Sequence, residues 1–233
     1  MKKKTILVAA IAVMLVAALV VGGTLAYFTD TKTATNTFTV GKVGITLNEK
    51  NADGSDFTQN QKLYPGTKTQ NNIAKIVTVT NNEGSEDAYL WAEIWIPSAL
   101  DDGDDHSPTA PGLGNSLHFN YAQNVVETKA TYLGSKEING TMYNGYVHYV
   151  KGDAAHKAGE TTGALLDQVY MDKGVTQKDN GYQLIDGKTV YTGDWNLVVY
   201  GVGIQADGFD TITAAITAYY GKDVTAHVWP QDL

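Results

Sequence analysis

The chain has 233 residues, 43% of them hydrophobic, with fourteen tyrosines and four tryptophans, enough to bury a sizeable core and too apolar for a wholly disordered protein. Its net charge is −8 and every basic residue apart from histidine is lysine, which argues against binding nucleic acid or docking on anionic membranes. There is no cysteine, so thiol catalysis, iron–sulfur clusters and thiolate zinc sites are excluded, and stability must come from the core or from assembly.

Lys2, Lys3 and Lys4 form a basic start, followed by an apolar run from Ile6 to Val21. Sixteen residues fall short of the roughly 20 that a helix needs to cross a bilayer, which favours a cleaved signal peptide over a retained anchor. Thr24 and Ala26 supply the small-x-small pattern a signal peptidase accepts, placing cleavage between Ala26 and Tyr27. Residues 1–26 are therefore read as a signal peptide carrying an N-terminal helix, and the mature net charge becomes about −11 once its three lysines leave. The mature remainder is 207 residues, a size that all-β sandwiches reach as one domain.

From there, period-two alternation dominates and predicts strands. Phe38 and Val40, then Val43, Ile45 and Leu47, suggest a strand with a bulge at Gly41-Lys42. Residues 48–61 read as a polar loop and Leu63-Tyr64-Pro65-Gly66 as a tight turn. Strands are expected at Ile73–Thr80 and Ala88–Ile96, joined by a turn at Asn81-Asn82-Glu83-Gly84. The second is apolar on both faces for part of its length, as a central strand would be. Leu100–Pro111 reads as an acidic loop, and shorter strands follow at Ser116–Tyr121, Val125–Leu133, Tyr143–Val150 and Leu165–Met171. A hairpin is expected over Gln183–Tyr191 around Asp186-Gly187, then a long strand at Trp195–Gln205. One segment changes to helical spacing: Ile212, Ala215, Ile216 and Tyr219 share a face, with Asp210 as N-cap and Gly221 as C-terminal stop. A last strand is expected at Val224–Trp229. The fold class is all-β: an antiparallel jelly-roll sandwich over residues 38–233 with one short helix near the C-terminus.

Gly22 to Asp30, the Phe38-Thr39-Val40-Gly41 strand and the Leu63-Tyr64-Pro65-Gly66 turn together resemble the TasA/camelysin family of secreted biofilm proteins from Gram-positive bacteria. Ile73–Thr80 ending in Asn81-Asn82, and Gly203 to Phe209, look like the same family; residues 97–190 do not. The resemblance implies a jelly-roll subunit, freed by a SipW-type signal peptidase, that polymerises outside the cell by adding its N-terminal segment as a strand to a neighbour. Carried over, the donor segment is residues 27–37, with Tyr27 and Phe28 as its anchors.

The residues supply their own case for that segment. Tyr27 to Asn36, if extended, spans about 33 Å, enough to cross a sandwich. It is threonine-rich, which suits a strand, and too polar to need burial in its own core. Burying Tyr27 and Phe28 would stabilise docking by roughly 1.5–3 kcal/mol each before ordering costs.

Part of this family has been described as metalloproteases, yet His106, His118, His148, His156 and His227 include no pair with His-Glu-x-x-His spacing. No catalytic or metal-ligating residue and no cofactor is assigned. Asp101–Asp105 lacks the spacing of an EF-hand loop and reads as solvated charge, as does Asn51–Asp56. Tyr89, Trp91, Trp95, Tyr143, Tyr146, Tyr149 and Tyr200 could form a glycan-stacking face, but alternating strand aromatics read better as core.

The expectation is a non-enzymatic, secreted subunit of an extracellular matrix or cell surface. Its partners would be itself or related fibre subunits, the signal peptidase during export, no nucleic acid, and the membrane only through the uncleaved signal peptide. The C-terminus shows no sorting motif, so retention is expected to depend on assembly. The alternatives are a secreted glycan- or calcium-binding module and a camelysin-like metalloprotease.

Overall fold

A computed structural model describes residues 42–67, 69–101, 115–120, 128–150 and 152–221. The expected signal-peptide helix, the 27–37 segment, the strand at 38–40 and the last strand at 224–229 lie outside the described residues.

Two antiparallel sheets face each other. The first runs β1 (Ile45–Lys50), β3 (Ile73–Asn81), β8 (Leu166–Asp172), with β5 (Leu117–Asn120) on the far side of β8. The second runs β12 (Val198–Gln205), β4 (Ala88–Pro97), β7 (Thr141–Val150), β6 (Thr128–Ile138). Taking these eight strands in chain order, five of the seven steps pass from one sheet to the other, as in a jelly roll, while β1–β3 and β6–β7 stay within a sheet. A small third sheet joins β9 (Thr176–Lys178), β10 (Gly181–Gln183) and β11 (Val190–Tyr191).

The main core lies between the two large sheets. Val77, Val79, Leu90, Ile94, Ile96, Leu117 and Leu166 are among its fully buried members. Alternation puts the other face of β4 to use as well: Tyr89 and Trp91 join Val147, Tyr149 and Val202 under α1 (Ile212–Tyr220). β4 is therefore buried along its whole length, as its two-sided apolar sequence requires.

Several boundaries differ from the sequence reading. Pro65-Gly66 is not a turn but a short parallel strand, β2, against Met171-Asp172; the chain reverses instead at residues 67–70, where Thr67 and Gln70 exchange backbone hydrogen bonds. Because Leu117 already holds the other edge of Met171, β2 lies on the β3 side of β8. β6 extends past the expected Leu133 to Ile138, because Asn139 (φ 50°) and Gly140 (φ 82°) form the tight hairpin turn to β7. The helix is capped one residue later than expected: Thr211 Oγ1, not Asp210, accepts from Ala214 N at 3.2 Å. Thr211→Ala is expected to cost about 1 kcal/mol of stability by urea titration, with Asp210→Ala nearly neutral.

Where β12 carries glycine, side chains of β1 and of the residues just before it pack close against its backbone. A Cβ on Gly203 would lie 2.7 Å from Ile45 Cγ2, 3.0 Å from Leu90 Cδ2 and 3.2 Å from Val43 Cγ1. Gly203→Ala is therefore expected to destabilise by about 1–3 kcal/mol, read from the shift in denaturation midpoint, while exposed Gly187→Ala in the hairpin turn leaves this contact untouched.

Candidate functional site

The residues that the sequence assigns to processing and docking, Thr24, Ala26, Tyr27 and Phe28, lie outside the described residues. What the fold supplies is the surface such a segment would need. Among the described residues, β1, β5, β6 and β12 each pair with a strand on one side only, apart from the bridge of Lys50 to Asp56.

Two of these edges sit together. Gly44 and Thr46 face β3, since Asn82 N donates to Gly44 O at 2.9 Å and the pairing alternates from there. The N–H and C=O groups of Ile45 and Leu47 therefore point away from the sheet. At Glu49 that outer edge is already taken, by Phe57 N at 2.9 Å. On β12, Ala206 N donates to Asp87 O at 2.8 Å, so Val199, Gly201, Gly203 and Gln205 direct their backbone groups outward. The side chains of Val43, Ile45 and Leu47 lie over Gly201 and Gly203, which sets β1 and β12 along the same rim of the sandwich. This rim presents two rows of outward backbone groups, the feature that strand addition uses.

The lower end of that rim carries a half-buried ion pair. Lys75 Nζ lies 2.5 Å from Glu49 Oε1 and 4.0 Å from the centre of the Phe57 ring. The pair joins β1 to β3, and Phe57, through its ring on Lys75 and its N–H on Glu49 O, ties the 51–62 loop to the edge of the first sheet.

Carboxylates that look like surface charge prove structural in two places. Asp101 is 4% exposed and accepts from Asn144 Nδ2 at 2.7 Å and Tyr146 OH at 2.5 Å, which corrects its reading as solvated. Ser116 N donates to Leu100 O, closing the neck of the acidic loop; residues 102–105 lie outside the described residues. On the outer face of the second sheet, Glu93 accepts from Trp95 Nε1 at 2.9 Å and from Tyr220 OH at 2.7 Å. Burial first, and the Glu93 carboxylate second, push the Tyr220 phenol upward, so it stays a hydrogen-bond donor. Lys136 Nζ stands 3.6 Å above the Trp95 ring. The aromatic residues weighed for glycan stacking are buried except Tyr200, which supports the core reading.

The three described histidines sit in separate environments. His118 is on the outer face of the first sheet, stacked on Tyr170, with Nε2 2.9 Å from Asp172 Oδ2. His148 is inside the sandwich, its Nδ1 3.0 Å from Leu165 O. His156 lies in the connection from β7 to β8, bridged to Ala88 of β4, with Nε2 3.5 Å from Asp153 Oδ2. Among the described residues no three of His, Asp or Glu converge as metal ligands. This donor set does not fit a catalytic zinc, which wants three side chains around one point. His106 and His227 lie outside the described residues.

A model of one protein family, the camelysin metallo-endopeptidases, matches residues 1–88. No curated protein and no solved structure matches the chain. The match covers less than half of the chain and runs from residue 1 through β1 and β3 to the first residue of β4. It thus spans one of the two strands on this rim and the residues that precede it, and over this stretch the chain is similar to the camelysin metallo-endopeptidases.

Proposed function

We propose that the chain is a secreted, non-enzymatic structural subunit of an extracellular matrix. After removal of residues 1–26, residues 27–37 of one subunit add as a strand to the open rim of an identical or related subunit. The observation that carries this reading is the pairing of two outward-facing edges, β1 and β12, on one side of the sandwich. Ladder hydrogen bonds would give direction, and Tyr27 and Phe28 would anchor register. Export supplies the trigger: the freed amino end exists only after cleavage, so the subunit stays monomeric inside the cell. The like charge of the mature chains keeps them apart until such specific contacts form.

Electron microscopy of two proteins tests this. Protein starting at Tyr27 is expected to form fibres, and protein lacking residues 27–37 to remain monomeric with the same circular dichroism. Fibres from both, or from neither at high protein concentration, would overturn the proposal.

The family's description favours a second reading, metal-dependent proteolysis. Casein cleavage that a chelator abolishes and zinc restores would establish it and remove the non-enzymatic assignment. The separate placement of His118, His148 and His156 supports the structural reading instead.

A further inference from the structure

The small third sheet and the turn that follows it carry a group of three aromatic rings at the margin of the main core. Tyr182 and Tyr191 stand directly opposite each other on β10 and β11, so their rings emerge on the same face. Trp195 follows four residues later and stands nearly perpendicular to both. Its centroid is 5.7 Å from Tyr182 at 81° and 5.9 Å from Tyr191 at 84°. All three rings are partly exposed, and Trp195 and Tyr191 back onto the main core.

The corner is held in place before anything binds. Tyr191 OH donates to Asp194 O at 2.9 Å, and the Tyr191 ring lies against Gly193, where a Cβ would come within 2.8 Å of Cζ. The turn 191–195 thus wraps around the tyrosine and delivers Trp195 at a right angle to it. Rigid walls lower the ordering cost of binding.

Charge gives the ligand's sign. The Asp194 side chain makes no hydrogen bond or ion pair among the described residues. Its carboxylate is close enough to Tyr143 and Tyr191 that, after burial, it helps hold both phenols above their ordinary range. The described lysines that sit over rings do so elsewhere: Lys75 on Phe57, Lys136 on Trp95 and Tyr200. Perpendicular aromatic faces present electron-rich surfaces on several sides of one point, which suits a diffuse cation better than an apolar group or an anion.

We propose that Tyr182, Tyr191 and Trp195, with the Asp194 carboxylate beside them, form a binding corner for a small organic cation of the quaternary-ammonium class. Tyr182 and Tyr191 are the side walls, Trp195 is the back wall, and Asp194 supplies the counter-charge. A trimethylammonium head presents methyl groups to each ring and spreads its charge over them. A primary ammonium would surrender more hydration to enter the same place.

Nuclear magnetic resonance titration of the full mature protein with choline tests the assignment, reading the Trp195 indole N–H and the amides of residues 181–195. Saturable shifts centred on these residues are expected. The neutral isostere 3,3-dimethylbutan-1-ol, with the same shape and no charge, should bind about 10-fold more weakly. Phosphocholine should also bind more weakly than choline, because its phosphate would face Asp194. Asp194→Asn keeps the shape and should weaken choline binding by about 3- to 10-fold. Tyr182→Leu, on the small sheet rather than in the main core, should abolish the shifts while the remaining spectrum is retained. Equal binding of the neutral isostere, no effect of Asp194→Asn, or shifts centred elsewhere would overturn the proposal. Phosphocholine binding more tightly than choline would do the same.

Discussion

Trp91→Ala is expected to cost about 3–5 kcal/mol of unfolding free energy and to release α1 from the second sheet before the rest of the molecule unfolds. Trp91 is 0% exposed and forms the floor on which the helix rests. Its indole N–H donates to Tyr220 OH at 3.1 Å, and its ring meets Tyr219 edge-on at 5.3 Å. A helix of nine residues is marginal by itself, so its persistence depends on this contact. Truncation removes the indole, leaves a cavity beside Ile212, Ala215 and Ile216, and takes away the donor to Tyr220 OH at the head of the chain of bonds that continues through Glu93 to Trp95. Urea denaturation gives the total loss. Amide exchange over residues 212–220 gives the local one, expected to rise well above that of β4. Trp91→Phe keeps a ring on the floor and should lose only part of the stability. A change below about 1 kcal/mol for Trp91→Ala would show that the helix is held by something other than this residue.

The strands were legible where burial and alternation coincide. β3, β4, β8 and β12 were all found within three residues of their ends, and the two-sided apolar run at Ala88–Ile96 correctly marked the central strand. The helix was legible because four apolar residues share one face, and Gly221 ends it at φ 66° as expected. The misses have physical causes. Asn139-Gly140 is a strong hairpin signal that the reading passed over, which shortened β6 by five residues at its C-terminal end. Pro65-Gly66 has turn chemistry, but as an edge position it serves equally well as a short strand, because proline lacks only a donor that this position does not need. β9 is three exposed residues with no apolar pattern to reveal it.

The site was legible in a different way. The expected signal peptide and its cleavage site rest on local sequence patterns and lie outside the described residues. An open rim is a relation between β1 and β12, more than 150 residues apart, and no local pattern encodes it. The signal that could have suggested it is the Gly201-x-Gly203 spacing, which removes side chains from one face of β12 so that another sheet edge can lie close. The structural carboxylates were partly foreseeable, since Glu93 is a lone acid in a strand of apolar residues. Asp101 was not, because three acidic neighbours disguise it as one more solvated charge.

Acid should weaken the sandwich through one buried imidazole. His148 is fully buried, carried on β7 of the second sheet, and its Nδ1–H donates to the carbonyl of Leu165 on the first-sheet side at 3.0 Å. The Phe119 ring lies 5.6 Å away. Burial disfavours the charged ring and lowers its pKa to about 4, against an opposing contribution from the Leu165 hydrogen bond. In the unfolded chain the ring titrates at about 6.5. Between these values the unfolded state binds the proton and the folded state does not, so stability falls as pH drops through this window. Above about pH 6.5 the neutral ring costs nothing; by pH 4 the loss from this group approaches roughly 3 kcal/mol, from a gap of about 2.5 units. His148→Gln cannot titrate and can still donate to Leu165 O. The advantage of the parent protein over this variant, measured by urea denaturation, should therefore shrink by roughly 3 kcal/mol between pH 7 and pH 4. Subtracting the variant removes the carboxylate titrations that both proteins share, and a difference that stays constant across this range would mean that His148 does not couple folding to protons.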